Sequence, residues 1–377
     1  EDALTASREL EITLTGKNCG LEEKAPMCGV PYHAVEGYLN KLVKKGYKVA
    51  ICEQVEDPKQ AKGIVKREVI RIVTPGTNLN VSALEESKNN YIMSIVYLDD
   101  NYGISIADIS TGDYYVTQVS SLRALLDEIT RYAPSEIICN HAFYVSGADI
   151  EDIRGRLSIA VSALDSWYFD DETCQKILKE HFKVIHLEGL GITEYEYGLI
   201  AAGSLLQYLY ETQKSTLEHL TAIIPYSTGR FMLLDTSTRR NLELVETLRE
   251  KQKRGSLLWV LDKTKTAMGA RALRSHMEQP LISRKEILKR QDAVQELLEN
   301  MITREEIREY MQPIYDLERL IGRISYKTAN PRDFISFQSS ISMLPHIKCL
   351  LQGANAELLK EIDKDMDPLT DLAELIA

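Results

Sequence analysis

Two neighbouring side chains near the start of the chain have chemistry that suits contact with phosphate. Tyr32 and His33 lie in the segment GVPYHAV (29–35), where a proline stiffens a turn that leads into a predicted helix. The first amides of a helix have no intrahelical partner and favour anions such as phosphate. The segment therefore predicts a phosphate contact, and a helix start packed on its own domain explains the same pattern equally well.

The helix that follows this turn has one apolar face and one basic face. Its apolar residues recur at the helical spacing, and Gly46 stands where a carboxyl-terminal cap is expected. Lys41, Lys44 and Lys45 point away from the apolar face. The pattern predicts a surface helix with lysines free to meet solvent or a polyanion.

Charge is uneven along the 377 residues. The formal net charge is −11, which does not suit a nucleic-acid binder taken as a whole. The stretches 41–71 and 239–290 nevertheless carry net charges of +5 and +8. Local basic surface matters most to a polyanion, because salt screens exposed charges beyond about 8 Å. From charge alone, ordinary solvated helix faces remain the favoured interpretation.

Nucleotide hydrolysis is not expected of this chain. A P-loop needs G-x-x-x-x-G-K-[ST] so that amides, a lysine and a hydroxyl surround the phosphates. Gly16 and Lys17 form the only Gly-Lys pair, but Asn18 follows them and Glu11 replaces the first glycine. No G-x-G-x-x-G and no G-x-S-x-G occurs either.

Metal-dependent nuclease chemistry is the alternative enzymatic hypothesis. A predicted βββαβ order in the middle of the chain is that of the ribonuclease-H-like fold, whose nucleases hold two metals with carboxylates. The candidates are Asp99, Asp100, Asp108 and Asp113. All but Asp108 lie in predicted turns, where Asp is common for backbone reasons. One strand carboxylate cannot build such a site, and the prediction is no metal and no catalytic residue.

Composition predicts a folded, reduced, non-membrane protein. Apolar residues make up 44% and charged residues 27%, as in ordinary globular proteins. The six cysteines form no C-x-x-C pair, which favours free thiols in a reducing cytoplasm. No apolar run of about 18 residues and no signal peptide is visible, so no membrane partner is expected.

Three regions differ in pattern and predict three domains: 1–80, 81–192 and 193–377. The first mixes the basic helix with strands at 47–52 and 69–73. The second carries the βββαβ order, and the third is nearly all helical, with one strand-like run, RFMLLD (230–235). Helix starts in the third region are predicted at Ser283 and Thr303 by their capping boxes, and at Asn330 by an N-cap residue followed by proline and, at the third position, an acid. One apolar stripe is formed by Leu199, Ala202, Leu206, Leu209 and Tyr210.

Long ungapped motifs closely resemble the bacterial MutS DNA mismatch-repair proteins. The amino-terminal, mismatch-binding domain of that family is matched by MCGVPYHAVEGYL (27–39), VAICEQVEDP (49–58) and RIVTPGT (71–77). ADISTG (107–112) resembles its connector domain. LDTSTRRNLE (234–243), DLERL (316–320) and PRD (331–333) resemble its core, or lever, domain. The resemblance covers essentially the whole chain, in the family's order.

The resemblance implies an α/β plus α protein: a mixed DNA-binding domain, a ribonuclease-H-like connector and an elongated helical lever. It implies binding to double-stranded DNA with mismatches or small loops, a MutL-type partner at the connector, and homodimers in the full-length protein. The family's Phe-x-Glu reading element does not occur here, and its clamp and P-loop ATPase domains, which use ATP and Mg, are expected beyond this chain. The incomplete lever and the truncated first domain predict a fragment.

By the same resemblance, the DNA-contacting residues are expected on the first domain. The fragment is expected to bind DNA weakly, without mismatch preference and without ATPase activity, because the reading aromatic and the clamp are absent. A purely structural fragment that binds proteins but not DNA is the third hypothesis. The predicted DNA-binding residues are Lys17, Met27, Tyr32, His33, Lys41, Lys44 and Lys45.

Overall fold

The computed structural model describes residues 1–20, 23–57, 65–80 and 84–377, apart from the side chain of residue 156. The amino-terminal unit has two hairpins and two helices. Its elements are α1 (Asp2–Leu10), β1 (Thr15–Lys17), β2 (Ala25–Met27), α2 (Val35–Lys44), β3 (Val49–Gln54) and β4 (Arg67–Val73). β1 pairs with β2 and β3 with β4, both antiparallel. The unit's buried apolar core is small: Leu39, Val43 and Val73.

The predicted basic helix and its two strands are confirmed. Gly46 has a φ of 87°, which lets the chain turn away after α2. The Gly46 amide donates to the Val43 carbonyl at 2.9 Å. β3 begins two residues later than predicted. Lys59 and Lys62 of the basic stretch lie outside the described residues.

The second unit is built on a mixed sheet. Its elements are β5 (Ile92–Leu98), β6 (Asn101–Asp108), β7 (Asp113–Val119), α3 (Leu122–Tyr132), β8 (Glu136–Cys139), α4 (His141–Tyr144), α5 (Ile150–Arg156), β9 (Ala160–Ala163), α6 (Asp171–Phe182), α7 (Glu196–Gln213) and β10 (Ile224–Pro225). The strand order is β10-β7-β6-β5-β8-β9. β5, β6 and β7 run antiparallel, and β8 and β9 follow parallel to β5. The predicted βββαβ run is present.

Helix α7 lies directly on this sheet. A Cβ added to Gly103 of β6 would stand 1.9 Å from the carbonyl oxygen of Tyr197, and the hydroxyls of Ser94 and Ser204 are 2.8 Å apart. α7 is buried on nearly every side and not along one stripe only, because α6 covers its other face. The predicted boundary at residue 192 separates α7 from the sheet on which it packs. The packing therefore joins α7 to the sheet of the second unit.

The remaining chain is helical, as predicted. Its helices are α8 (Thr236–Asn241), α9 (Leu257–Leu261), α10 (Ala267–Glu278), α11 (Arg284–Glu299), α12 (Met301–Met311), α13 (Leu317–Ser325), α14 (Pro331–Ile341), α15 (Leu344–Leu351), α16 (Glu357–Asp365) and α17 (Thr370–Ile376). Across the described ranges, we find no helix that combines the length and the apolar character needed to cross a membrane.

Two local predictions in this region are wrong. The run 230–235 is not a strand, because its only β pairing is a single antiparallel bridge between Phe231 and Leu281. Thr303 does not begin a helix. α12 starts at Met301, directly after α11 ends, so Thr303 lies inside the helix and Asn300 takes the cap position.

Two other helix starts are confirmed in the same region. The full capping box at Asn330 is present, and the Asn330 amide donates to the Asp333 carboxylate at 2.9 Å. Ser283 caps α11, but Glu286 turns to Arg230 at 2.7 Å instead of completing the box.

Candidate nucleic-acid interface

The turn that enters α2 places two predicted site residues on the surface. Tyr32–Ala34 forms one turn of 3-10 helix, closed by the Ala34 amide bonding the Pro31 carbonyl at 2.9 Å. Tyr32 is 85% exposed, and His33 is exposed beside it. An aromatic ring so open to water makes little contribution to a core. It is available to stack on a base or pack against a sugar.

The β1–β2 hairpin carries two further predicted site residues, Lys17 and Met27. Thr15 faces Met27 in the ladder and its hydroxyl bonds the Met27 carbonyl at 2.9 Å, which fixes that corner of the hairpin. Lys17 faces Ala25, so it lies two residues, or about 7 Å, along the strand from the Met27 position. Met27 and Lys17 are both exposed. The hairpin therefore offers one flexible apolar side chain and one cation.

The three lysines of α2 are exposed as predicted, but they do not form one group with Tyr32. The helix has ten residues and is about 15 Å long, which separates its last lysines from the turn at its start. Lys44 and Lys45 line a cavity of about 700 Å³ between the amino-terminal unit and the sheet. The structure thus puts Tyr32 and His33 at the start of α2, Lys44 and Lys45 at its end, and Lys17 and Met27 on the hairpin.

The lysines also differ in how free they are. Lys45 donates to the Glu9 carboxylate at 2.9 Å and to the Glu9 carbonyl at 3.0 Å, and this hydrogen bond lowers the pKa of Glu9. Lys41 lies over the Tyr38 ring, 5.6 Å from its centre. Lys45 ties α2 to α1, so its replacement would disturb the fold as well as any DNA contact.

Sequence reasoning missed the group that fastens the amino-terminal unit to the sheet. Glu136, at the start of β8, is fully buried and accepts from the Thr74 hydroxyl, from the Gly76 amide at 3.2 Å and from the Tyr208 hydroxyl at 2.7 Å. Lys48 of the amino-terminal unit lies 3.4 Å away. Burial and the Glu136 charge raise the pKa of Tyr208, which keeps its hydroxyl a donor. In the sequence, the feature that could have indicated this role is an acidic residue at the start of an otherwise apolar strand, EIIC (136–139).

The nuclease hypothesis finds no support at Asp108. This fully buried carboxylate accepts from the Ser110 amide (2.8 Å) and hydroxyl (2.7 Å), the Asn90 amide (2.9 Å) and the Asn89 side chain (3.0 Å). Its lone pairs are used, as in a structural cap and not an open metal site. Among the residues that the structure describes, no group of three or more His, Cys, Asp or Glu could hold a metal.

The other carboxylates of that hypothesis are also accounted for. Asp99 and Asp100 form the left-handed turn between β5 and β6, at the opposite end of β6 from Asp108. Asp113 faces Asp108 in the ladder and accepts from Asn89 at 3.0 Å. Burial, reinforced by the Asp108 charge, raises the pKa of Asp113 to about 6.

Comparisons with known proteins follow the same three regions. Family models match in order: MutS domain I over residues 1–82, MutS domain II over 90–221 and MutS domain III over 237–377. The second match includes helix α7, in agreement with its packing on the sheet.

Curated relatives match over the whole chain. The DNA mismatch repair protein MutS of Lachnoclostridium phytofermentans is 66% identical over 376 residues, which are 100% of this chain and 40% of that protein. Proteins of the same name from Ruminiclostridium cellulolyticum and Alkaliphilus oremlandii are 49% and 48% identical, over 100% of this chain and 43% of each relative. The chain spans about two fifths of the length of these relatives.

Proposed function

Because the chain belongs to the MutS family of DNA mismatch repair proteins, we propose that it supplies the DNA-binding end of such a protein and acts in mismatch recognition. The observation that supports this most is the match of all three MutS domain models, in order, over most of the chain. The exposed Tyr32, on a turn that sequence reasoning selected for phosphate contact, adds a physical reason.

The DNA surface of the proposal lies on the amino-terminal unit. Tyr32, His33 and Met27 would meet a kinked minor groove, where a mispair makes bending less costly. Lys17, Lys41 and Lys44 would add sequence-independent attraction to phosphates. Lys45 would act mainly by holding α2 to α1 through Glu9.

The second unit would serve as the connector and the helical region as the lever. The strand order of the sheet supports a ribonuclease-H-like connector fold. The packing of α7 favours a connector that ends between residues 221 and 237, with the lever after it. We propose a MutL-type protein as the connector's partner and homodimers for the longer protein, in the cytoplasm.

Nucleotide chemistry would belong to other parts of the longer family proteins. The printed sequence has no P-loop motif, so this chain by itself should neither bind ATP with Mg nor hydrolyse it. Binding to DNA is then the activity to measure.

The direct test is fluorescence anisotropy of labelled duplexes at several salt concentrations. One duplex is fully matched, one carries a G·T mispair and one an unpaired T. We expect weak binding with a steep salt dependence and equal affinity for all three, because Phe-x-Glu does not occur in this chain. The logarithmic slope should fall by about one for each phosphate-contacting lysine that is removed.

Two results would change the proposal. No salt-dependent binding to any duplex would contradict DNA binding and favour a fragment that contacts only proteins. A clear preference for the mispair would show that the exposed turn and hairpin read the groove without the family's reading element.

A further inference from the structure

The segment that joins the amino-terminal unit to the sheet passes between the other two regions. We name residues 84–90 the strap; they lead directly into β5. On one side lies the turn that follows β6, and on the other lies α13 of the helical region. α13 comes so near that a Cβ on Gly322 would stand 2.9 Å from the Ser110 carbonyl oxygen. The strap therefore lies at a junction of all three regions, with Glu85 and Glu86 exposed and the rest half-buried.

Side chains of the sheet hold the end of the strap. Asn89 donates to Asp108 and to Asp113, at 3.0 Å each. The Asn90 side chain donates to the Pro75 carbonyl at 3.0 Å and accepts from Ser135 at 2.6 Å. This end of the strap is bonded to the sheet and to the last turn of the amino-terminal unit.

Two buried arginines of the helical region hold the rest of the strap by its backbone. Arg319 of α13 donates through one nitrogen to the carbonyls of Glu85 (3.1 Å) and Lys88 (2.7 Å). Arg271 of α10 donates to the Glu86 carbonyl at 3.0 Å. Both arginines are about 95% buried, at 4% and 5% exposure. Three carbonyls within four residues thus depend on charged donors from another region, and such bonds are stronger than neutral ones.

The arginines are themselves fixed from within the helical region. Arg271 forms a two-bond pair with the Asp316 carboxylate, at 2.6 and 2.7 Å, and also meets Glu318 at 2.6 Å. Asp316 also caps α13, whose first turn carries Arg319. A shift of α13 would therefore move both arginines together.

We propose that Arg271 and Arg319 form a clasp that fixes the strap to the helical region, so that movement of α13 is passed to the amino-terminal unit. The two are positioning residues that act through the strap and touch no DNA. This inference rests on the proposed function, because coupling to α13 has a role only if the amino-terminal unit binds DNA. Coupling needs a continuous network of contacts between the two ends, and the strap is bonded to the sheet through Asn89 and Asn90 and to the helical region through its three held carbonyls.

The test is hydrogen exchange, read by mass spectrometry, on the whole 377-residue chain with and without duplex DNA. The variants are Arg319→Ala and Arg271→Ala. The matched control is Arg323→Ala in the same helix, because Arg323 pairs with Asp333 at 3.0 Å inside the helical region. Arg319→Lys is the conservative variant, since one ammonium can still reach both carbonyls.

Without DNA, peptides over 84–91 should exchange about tenfold faster in both alanine variants than in the wild type and the control. Arg319→Lys should restore most of the protection. In the wild type, duplex DNA should slow hydrogen exchange in α13. Arg319→Ala should lose that response while its affinity for DNA stays within about threefold.

Three outcomes overturn the proposal: unchanged exchange of the strap in both alanine variants, a DNA response of α13 that persists in them, or loss of protection throughout the sheet. The last would mean that the arginines only hold the fold. Failure of the wild type to bind DNA would instead remove the proposed function, and the comparison of strap exchange without DNA would still decide whether the clasp exists.

Discussion

The amino-terminal unit and the sheet unit are stabilised in different ways. The sheet is buried on both faces by two large apolar clusters, while the described part of the amino-terminal unit has one small cluster of three buried apolar residues. The smaller unit relies instead on polar anchors to the sheet unit: Glu136 with its four partners, and Lys48 bonded to the Tyr208 hydroxyl at 3.0 Å. A unit with little core of its own can be displaced as a body when its anchors open. The sheet unit has no such separate motion, because moving it would break the two large apolar clusters on its faces.

The largest effect should come from filling the contact between helix and sheet. Gly103→Ala places a methyl group within 1.9 Å of a carbonyl oxygen of α7, so the helix must move off the sheet. We expect a loss of more than about 4 kcal/mol of stability, measured by urea unfolding. The matched control is Gly37→Ala in α2, where nothing lies within 4 Å.

Gly37→Ala should add up to about 1 kcal/mol, because alanine favours a helix over glycine. Equal unfolding midpoints for the two variants would contradict the contrast between a tightly packed sheet and an open amino-terminal unit.

Opening the main anchor should have the next largest effect. Glu136→Gln keeps the shape but removes the charge and turns an acceptor into a donor facing hydroxyls, at a cost of about 2–4 kcal/mol. We expect the amino-terminal unit to become sensitive to limited proteolysis while the sheet stays resistant. Glu151→Gln, at an exposed pair with Arg154, should change stability by under about 0.5 kcal/mol. If protease cleaved both units of Glu136→Gln at the same rate, the two units would not unfold separately.

The Asp113 carboxylate should make stability depend on pH. Its folded pKa of about 6 lies above the ordinary 3.8, so the folded protein takes up the proton first as pH falls. This favours folding below pH 4, and the advantage is lost as pH rises through 6. Relative to Asp113→Asn, which does not titrate, the wild type should lose about 2–3 kcal/mol between pH 4 and pH 8. Denaturant titrations at each pH measure that difference.

A control with the opposite sign is available for this titration. A hydrogen bond from Thr173 lowers the pKa of Asp170, so the wild type should gain relative to Asp170→Asn as pH rises. A difference between wild type and Asp113→Asn that does not vary with pH would mean that the pKa of Asp113 is the same in the folded and unfolded protein.

Replacing Tyr32 should have the smallest effect on stability and the clearest effect on DNA binding. Tyr32→Ala should weaken duplex binding by about 1–3 kcal/mol if the ring stacks, and should leave stability within about 0.5 kcal/mol because the ring is so exposed. Tyr315→Ala removes another exposed tyrosine, on the helical region, and should not alter binding. Anisotropy on one labelled duplex compares them. Equal affinities for the two variants would remove Tyr32 from the interface.

Local patterns were readable in the sequence, and distant contacts were not. Helical spacing and Gly46 predicted α2, and alternation with turn residues predicted β5 to β7. The run 230–235 misled because its apolar residues look like a strand, while its real pairing is one bridge with Leu281. Thr303 misled because a second helix begins where the first one ends.

The candidate site was predicted in residue type more than in arrangement. Exposure of Tyr32, His33 and the lysines followed from the pattern, but only the fold shows that Lys44 lines a cavity beside the sheet and that Lys45 bonds Glu9. The role of Glu136 depends on three hydrogen-bond donors that lie 60 to 72 residues away along the chain. No local rule connects such positions.

The clasp also has a consequence for synthesis on the ribosome. Arg319 lies 234 residues after Glu85, whose carbonyl it holds. At about 5–20 residues per second, the strap emerges roughly 10–50 s before its clasp exists. The amino-terminal unit, with its small core, is then exposed to chaperones and proteases for longer than any later part. A nascent chain stalled before residue 319 should therefore be cleaved first in that unit.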